Sequence, residues 1–289
     1  FLTQYCPPEV GAPQNRIFEF AKRLKKFGHE VTILTAMPNY PKGEIFEGYK
    51  GKKVVIEKID GIRIIRTRIY ATKEKGFLKR LRNYLSFTFS SVFTGSKYIE
   101  KQDVVITESP PLFLGWSGYV IARKIKAKFV FNVSDLWPES AVKLGVLHNK
   151  LLIKASTWLE EFCYRKADAI TGQTRGIVDN IIDRGFDSEK IHLITNGVDT
   201  EFFRKENRDE KFRESIGING KFAACYGGIH GLAQGLEIII NAAEILKEHR
   251  NIQFVFVGDG PEKQKLINMA AEKKLENVTF LPVQPKANM

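Results

Sequence analysis

At 289 residues the chain has room for two domains, and its 43% hydrophobic content with 21 Phe excludes a disordered polymer. Three scattered cysteines without a CxxC exclude a disulfide framework or a cysteine-rich zinc module and fit a reducing cytosol, and no apolar run approaches the ~18 residues of a membrane-spanning helix. The net charge of +12 is uneven: residues 1–190 hold 32 Lys and Arg against 20 Asp and Glu, whereas residues 191–289 hold 13 of each.

Residues 1–3 read as the end of a buried strand, and the chain is expected to be cut at both ends. Ile17, Phe20, Ala21 and Leu24 then share one helical face, with Gly28 as the stop. Residues 31–35 form a short apolar run, and 53–70 alternate around Asp60-Gly61, which predicts a β-hairpin. The charge is densest at 61–82, where Arg63, Arg66, Arg68, Lys73, Lys75, Lys79, Arg80 and Arg82 face only Glu74. Such a cluster suits nucleic acid, anionic lipid or a phosphorylated substrate. Phe77, Leu78, Leu81, Tyr84, Leu85, Thr88, Phe89 and Val92 recur at helical spacing, with Lys79, Arg80 and Arg82 on the remaining surface. That stripe either faces the core or meets an anionic bilayer.

Further short apolar runs at 104–107, 129–133, 169–171, 191–194, 222–226 and 254–257 are bounded by turn or polar residues, the pattern of parallel strands buried on both faces. Leu236, Ile239, Ile240, Ala243 and Leu246 mark a helix, and 278–281 a last strand. The expected class is α/β with doubly wound sheets, broken between 195 and 212 into domains at 1–195 and 196–289, the second incomplete.

Four loops at predicted strand ends could carry chemistry, because ligands bind there in such sheets. In the loop at 5–13, Gly11 would admit a ligand to backbone N–H groups before a helix N-terminus, or the segment is a Pro-rich turn. At 133–139, Asp135 and Glu139 flank Trp137 and could orient hydroxyls or handle a proton, or Asp135 caps a short turn. Gly227, Gly228, Gly231 and Gly235 open a loop that is neither the dinucleotide fingerprint nor a P-loop. Gly258-Asp259-Gly260-Pro261 suits a tight turn with Pro at the first helical position. No HExxH, GxSxG, EF-hand loop or Asp-x-Asp occurs, so no metal site is expected.

Together these segments resemble glycosyltransferase family 4, of the GT-B fold with two Rossmann-like domains facing a cleft. The likeness rests on Pro7-Pro8-Glu9-x-Gly11-Ala12, on Gly28-His29-Glu30-Val31-Thr32, on Asn196-Gly197-Val198-Asp199-x-x-x-Phe203, on Gln234-Gly235-Leu236-Glu237 and on Val257-Gly258-Asp259-Gly260-Pro261. Residues 35–49, with Asp135-Leu136-Trp137-Pro138-Glu139-Ser140, are similar to fucosaminyltransferase-like enzymes of bacterial surface polysaccharide synthesis.

The resemblance implies a retaining transfer from a nucleotide sugar, of the UDP-N-acetylhexosamine type, to a polyprenyl-linked glycan, without essential metal or other cofactor. It puts Gly11 near the donor phosphates. Gly227, Gly228, Gly231, Gln234, Gly258 and Gly260 fall on the donor side, Asn196 and Gly197 at the crossing between domains, and Asp135 and Glu139 in catalysis. Lys79, Arg80 and Arg82 would serve the acceptor at an anionic membrane, in a cytoplasmic protein peripheral on the inner face.

Ile229 and Gln234 stand where many members have an Arg and a Lys for the diphosphate, and Ser134 where many have His. The family's Glu-x7-Glu motif would lie beyond Met289, so the chain is expected to be inactive alone. Two other readings remain: another GT-B enzyme such as a nucleotide-sugar epimerase, and a non-catalytic module for an anionic polymer. Nucleic acid is not expected, because aromatic residues do not interleave with the basic cluster.

Overall fold

The computed structural model describes residues 1–9, 11–74, 76–204 and 209–284. Lys75, counted in the basic cluster, lies outside them, as does the side chain of Phe77. The chain divides into two compact units, Phe1–Gly197 and Val198–Met289.

The first unit begins with α1 (Ala12–Lys26), β1 (Thr32–Ala36) and the hairpin β2 (Val54–Ile59) and β3 (Ile62–Thr67). It continues with α2 (Phe77–Phe93), β4 (Val104–Ser109), α3 (Phe113–Ile125), β5 (Lys128–Val133), α4 (Glu139–Lys143) and α5 (Lys150–Lys166). It closes with β6 (Ala169–Gly172), α6 (Arg175–Asp183) and β7 (Ile191–Leu193). Residues 1–3 are a central strand in miniature: Leu2 bridges Leu34 on one side and Thr107 on the other. Its N–H donates to Ile106 at 2.8 Å and its carbonyl accepts from Glu108 at 3.0 Å. This segment joins β2-β3-β1 to β4-β5-β6-β7 in one sheet, parallel except for the β2–β3 hairpin.

The two faces of that sheet bury different residues because side chains alternate along a strand. Ile33, Ile62 and Ile64 pack with Phe18 and Ala21 of α1. Leu34, Ala36 and Ile65 pack in a larger cluster with Phe87 and Val92 of α2, Leu114 and Ile121 of α3, and Cys163 and Tyr164 of α5. In α1 the buried face runs through Ile17, Phe18 and Ala21, and Phe20 and Leu24 of the expected stripe are only half-buried. Gly28, at φ 92°, follows the helix end as expected, and Arg23, Lys25 and Lys26 sit where the helix dipole favours cations.

The α2 stripe divides. Phe87, Thr88, Ser91 and Val92 enter the core, whereas Leu78 is 75% exposed, Phe89 49% and Phe93 63%. The basic cluster divides too. Arg66 is fully buried, donating to Glu57 at 2.5 Å and to the Pro7 carbonyl. Arg63 pairs with Glu100 at 2.9 Å, and Arg82 lies over the Tyr70 ring at 4.2 Å.

The second unit holds α7 (Glu210–Ser215), β8 (Phe222–Gly227), α8 (Glu237–Ile245), β9 (Ile252–Val257), α9 (Lys263–Glu272) and β10 (Val278–Leu281). Its three strands are parallel in the order β10-β9-β8. Phe254 and Phe256 pack against Leu236 (the N-cap of α8), Ile240 and Ala243 of α8 and Leu266 and Ala270 of α9. Val255 and Val257 turn to the other face, with Ile218. Among the described residues no helix is long and apolar enough to cross a membrane.

Candidate active site

Parallel strands bring all their following loops to one edge of the first sheet, and a polar network is built there. Glu108, the penultimate residue of β4, is 3% exposed. Its carboxylate meets the Arg16 guanidinium of α1 and accepts from Asn132 and from the Ser134 hydroxyl, each at 2.5 Å. Arg16 also donates to Ser134 at 2.5 Å, to Gln173 and to Asn196 at 3.3 Å. Thr171 donates to Asn132 at 2.7 Å, and Asn196 to Gln173 at 3.0 Å. Burial pushes the Glu108 carboxyl above its ordinary value, opposed by Arg16, Ser134 and Asn132. The cation is matched by one carboxylate, so what the network offers beyond that pair is uncharged donors and acceptors, which suit sugar hydroxyls.

The residues expected for chemistry lie around this network. Asp135 follows Ser134 directly and is half-buried; its carboxylate accepts from Ser140 at 2.9 Å. It does not cap α4, whose N-cap is Pro138. Glu139 is tied to Lys143 at 2.5 Å and to Asn180 of α6 at 3.3 Å, and the Lys143 hydrogen bond holds its carboxyl below the usual range. Asn196 belongs to the network, and Gly197 is the last residue of the first unit. Gly11 is the N-cap of α1, whose first turn has neither a side-chain cap nor an acidic residue. Glu9 accepts from the N–H groups of Cys6 at 3.1 Å and of Asn39 and Tyr40 at 2.8 Å each. The Pro-Pro-Glu and Pro-Asn-Tyr-Pro segments are therefore one clasp. Lys79, Arg80 and Arg82 lie on α2, away from these hydrogen bonds, with Lys79 paired to Glu74 at 3.2 Å.

In the second unit the two glycine segments form one assembly. The Gly228 N–H donates to Val257 and the His230 N–H to Asp259, each at 2.9 Å, and the His230 carbonyl accepts from Glu262 at 3.0 Å. A Cβ on Gly258 would lie 1.9 Å from the Gly228 carbonyl oxygen, and one on Gly260 2.3 Å from that of His230. Gly258 also has φ 144°. Pro261 lies before the helix, because α9 starts at Lys263 with Glu262 as N-cap. Gly227, Gly228, Ile229 and Gln234 are exposed and Gly231 is half-buried. Gln234 ends a short 3₁₀ turn, closed by Gly235 at φ 57°. The His230 ring is buried among Tyr226, Phe256 and Phe280, and neither ring nitrogen has a hydrogen-bond partner among the described residues.

A family model described as "Glycosyl transferase 4-like domain" matches residues 11–197, and one described as "Glycosyl transferases group 1" matches residues 208–289. The chain belongs to the family 4 glycosyltransferases. It is 27% identical over 284 residues to WcaI of Escherichia coli K12, a colanic acid biosynthesis glycosyl transferase by name, covering 96% of this chain and 69% of that protein. Its identity to WbjE of Pseudomonas aeruginosa, a glycosyltransferase by name, is 25% over 206 residues, 71% of this chain and 51% of that one. The chain therefore spans about half the length of the second relative. Among solved structures, HepE of Anabaena in complex with UDP and glucose shares the fold with a TM-score of 0.65 at 17% identity, over 98% of this chain and 68% of that one. The fold is GT-B, as the alternating strands and helices and the quoted motifs implied.

Within this glycosyltransferase, sequence reasoning missed Arg16, Glu108 and Gln173. Arg16 meets its partners across 92 to 180 residues of chain, so no local spacing announces them. One signal was available: Glu108 stands near the end of a strand, Val104–Ser109, that opens on an apolar run, and an acid in a buried strand needs a partner.

Proposed function

We propose that the protein is a retaining glycosyltransferase that moves a sugar from a UDP-N-acetylhexosamine type donor to a polyprenyl-linked glycan in surface polysaccharide synthesis. The donor is bound by the second unit and the acceptor by the first. The observation that carries this reading is the exposed Gly227-Gly228 strand end, where no side chain covers the backbone, in a fold that HepE shares with UDP and glucose bound. No Arg or Lys stands at Ile229 or Gln234, so backbone donors carry this interaction.

In the transfer the acceptor oxygen bonds to the anomeric carbon, the bond to the diphosphate breaks with its electron pair leaving on UDP, and the acceptor hydroxyl passes its proton to the departing diphosphate. Asp135 orients that hydroxyl, held in place by Ser140. Glu139 anchors the loop through Lys143 and Asn180. No metal takes part, and the protein works at the inner face of the cell membrane, with Lys79, Arg80 and Arg82 toward the acceptor's lipid.

Labelled UDP-N-acetylhexosamine incubated with a polyprenyl-diphosphate sugar tests the reading. Label should move to the lipid with its anomeric configuration kept, and EDTA should leave the rate unchanged. Epimerised donor formed without acceptor, and no transfer with it, would show the reading to be wrong.

A further inference from the structure

The donor site proposed for the second unit has no cation at Ile229 or Gln234, and backbone N–H groups carry no net charge to set against a diphosphate. One cation nevertheless stands at the carboxyl ends of the strands. The Lys263 ammonium donates to the Gly258 carbonyl, directly after β9, at 2.7 Å and to the carbonyl of Leu281, the last residue of β10, at 3.1 Å. It bridges these two ends beside the loop that holds Gly228, since a Cβ on Gly258 would lie 1.9 Å from the Gly228 carbonyl oxygen. Lys263 is half-buried and meets no carboxylate among the described residues.

Helix stability does not account for a lysine at this position. Lys263 is the first residue of α9, where the helix dipole disfavours a cation, and its side chain returns to the strand ends. The neighbouring acids are engaged elsewhere. Asp259 accepts from the Gly260 N–H at 2.8 Å, and Glu237 and Glu262 share Lys265 at 2.6 and 3.2 Å. His230 is no substitute, because burial first and Lys263 second hold its ring neutral at pH 7. Without Lys263 an approaching anion would meet these acids and two strand-end carbonyls, all of them negative. With it, both carbonyls are covered and an unpaired positive charge stands behind the glycines, half-buried, where salt and water screen it less.

We propose that Lys263 is the cation of the donor diphosphate site, supplying from behind the glycine assembly the charge that Ile229 and Gln234 do not. What it selects for is a nucleoside diphosphate over the bare nucleoside. The main chain sets the shape of the loop and Lys263 the sign of its potential; an added Cβ spoils the first, and loss of the ammonium spoils the second. The inference rests on the donor site of the proposed function.

The test compares UDP, which carries the diphosphate, with uridine, which lacks it, by calorimetry and saturation-transfer NMR. Lys263→Gln keeps a hydrogen-bond donor for the carbonyls and removes the charge. It should weaken UDP about tenfold, leave uridine unchanged and make the fall of UDP affinity with added salt shallower than in the parent. Lys263→Arg, which keeps the charge, should bind UDP within about threefold of the parent. Lys247→Gln, the same charge change at an exposed residue past the end of α8, should bind both ligands as the parent does. Retained uridine binding shows that the second unit of each variant is folded. UDP and uridine weakened together would make Lys263 a structural clamp and overturn the proposal. UDP affinity indifferent to Lys263→Gln, or an arginine variant that binds UDP no better than the glutamine one, would overturn it as well. The parent separates the two readings. UDP bound alike by the parent and by Lys263→Gln removes the role of Lys263 and leaves the donor site standing, whereas a parent that binds neither UDP nor uridine removes the donor site and the role of Lys263 with it.

Discussion

At the carboxyl ends of β4 to β7 the first unit gathers a guanidinium, a carboxylate, three primary amides and two hydroxyls into one hydrogen-bonded network. At the carboxyl ends of β8 and β9 the second unit presents Gly227, Gly228, Gly258 and Gly260, whose own backbone does the bonding. The difference is between a network of side chains and an assembly of main chain. A side-chain network distinguishes hydroxyl patterns but fails when one member is lost, because the partner left behind is a buried unpaired charge. A main-chain site tolerates changes of side chain around it and fails when a Cβ fills the approach.

The comparison breaks most visibly at Glu108. Glu108→Ala strands the Arg16 guanidinium, of which 14% of the side chain is exposed, with only neutral partners. The first unit should lose about 3–5 kcal/mol of stability. All three tryptophans, Trp116, Trp137 and Trp158, lie in that unit, so the urea midpoint read by tryptophan fluorescence reports on it. A shift within error would mean that the network carries no structural burden.

The next effect is expected at Gly258. An alanine there meets the Gly228 carbonyl at 1.9 Å on a backbone with φ 144°, so strand and loop must separate. The cost should be about 1–3 kcal/mol, with weaker UDP binding by calorimetry. Unaltered UDP affinity would detach this glycine from the donor site.

The smallest effect is a pH dependence confined to the second unit. Burial, reinforced by Lys263, holds the His230 imidazole below its ordinary value of 6.5. The folded unit keeps the neutral ring while the unfolded chain protonates it. Stability from this residue is therefore fully present above pH 6.5 and is lost as pH falls through the folded value. His230→Phe, which suits the Tyr226, Phe256 and Phe280 surroundings, should flatten that dependence. If the parent and the variant melt in parallel from neutral to acid pH, His230 is not the group responsible.

The glycine assembly was legible in the sequence because glycine is itself the signal: Gly227-Gly228 and Gly258-x-Gly260 stand directly after apolar strands. What the sequence could not show is that the second pair makes room for the first, since close approach of two backbones leaves no side-chain pattern. The strands and the Asp60-Gly61 hairpin were equally plain, because period and turn chemistry are local. The side-chain network was not. Arg16 looks like one more basic residue of an amphipathic helix, and only folding sets it beside Glu108, Ser134, Gln173 and Asn196. The α2 stripe left two readings open for a related reason. A helical period shows that an apolar face exists, and its depth is decided by how much of the helix the neighbouring elements cover; Phe87 and Val92 are covered, Leu78 and Phe93 are not.

The proposed division between main-chain donor binding and side-chain catalysis is tested most directly by titrating UDP into two variants and following transfer in both. Gly228→Val fills the approach beside Tyr226, where an added Cβ already lies 3.0 Å from the phenol oxygen, and should lower UDP affinity by at least about tenfold with the fold retained. Asp135→Asn should bind UDP as the parent does while transfer falls about a hundredfold. Undiminished UDP affinity in Gly228→Val, or unchanged transfer in Asp135→Asn, would contradict the account.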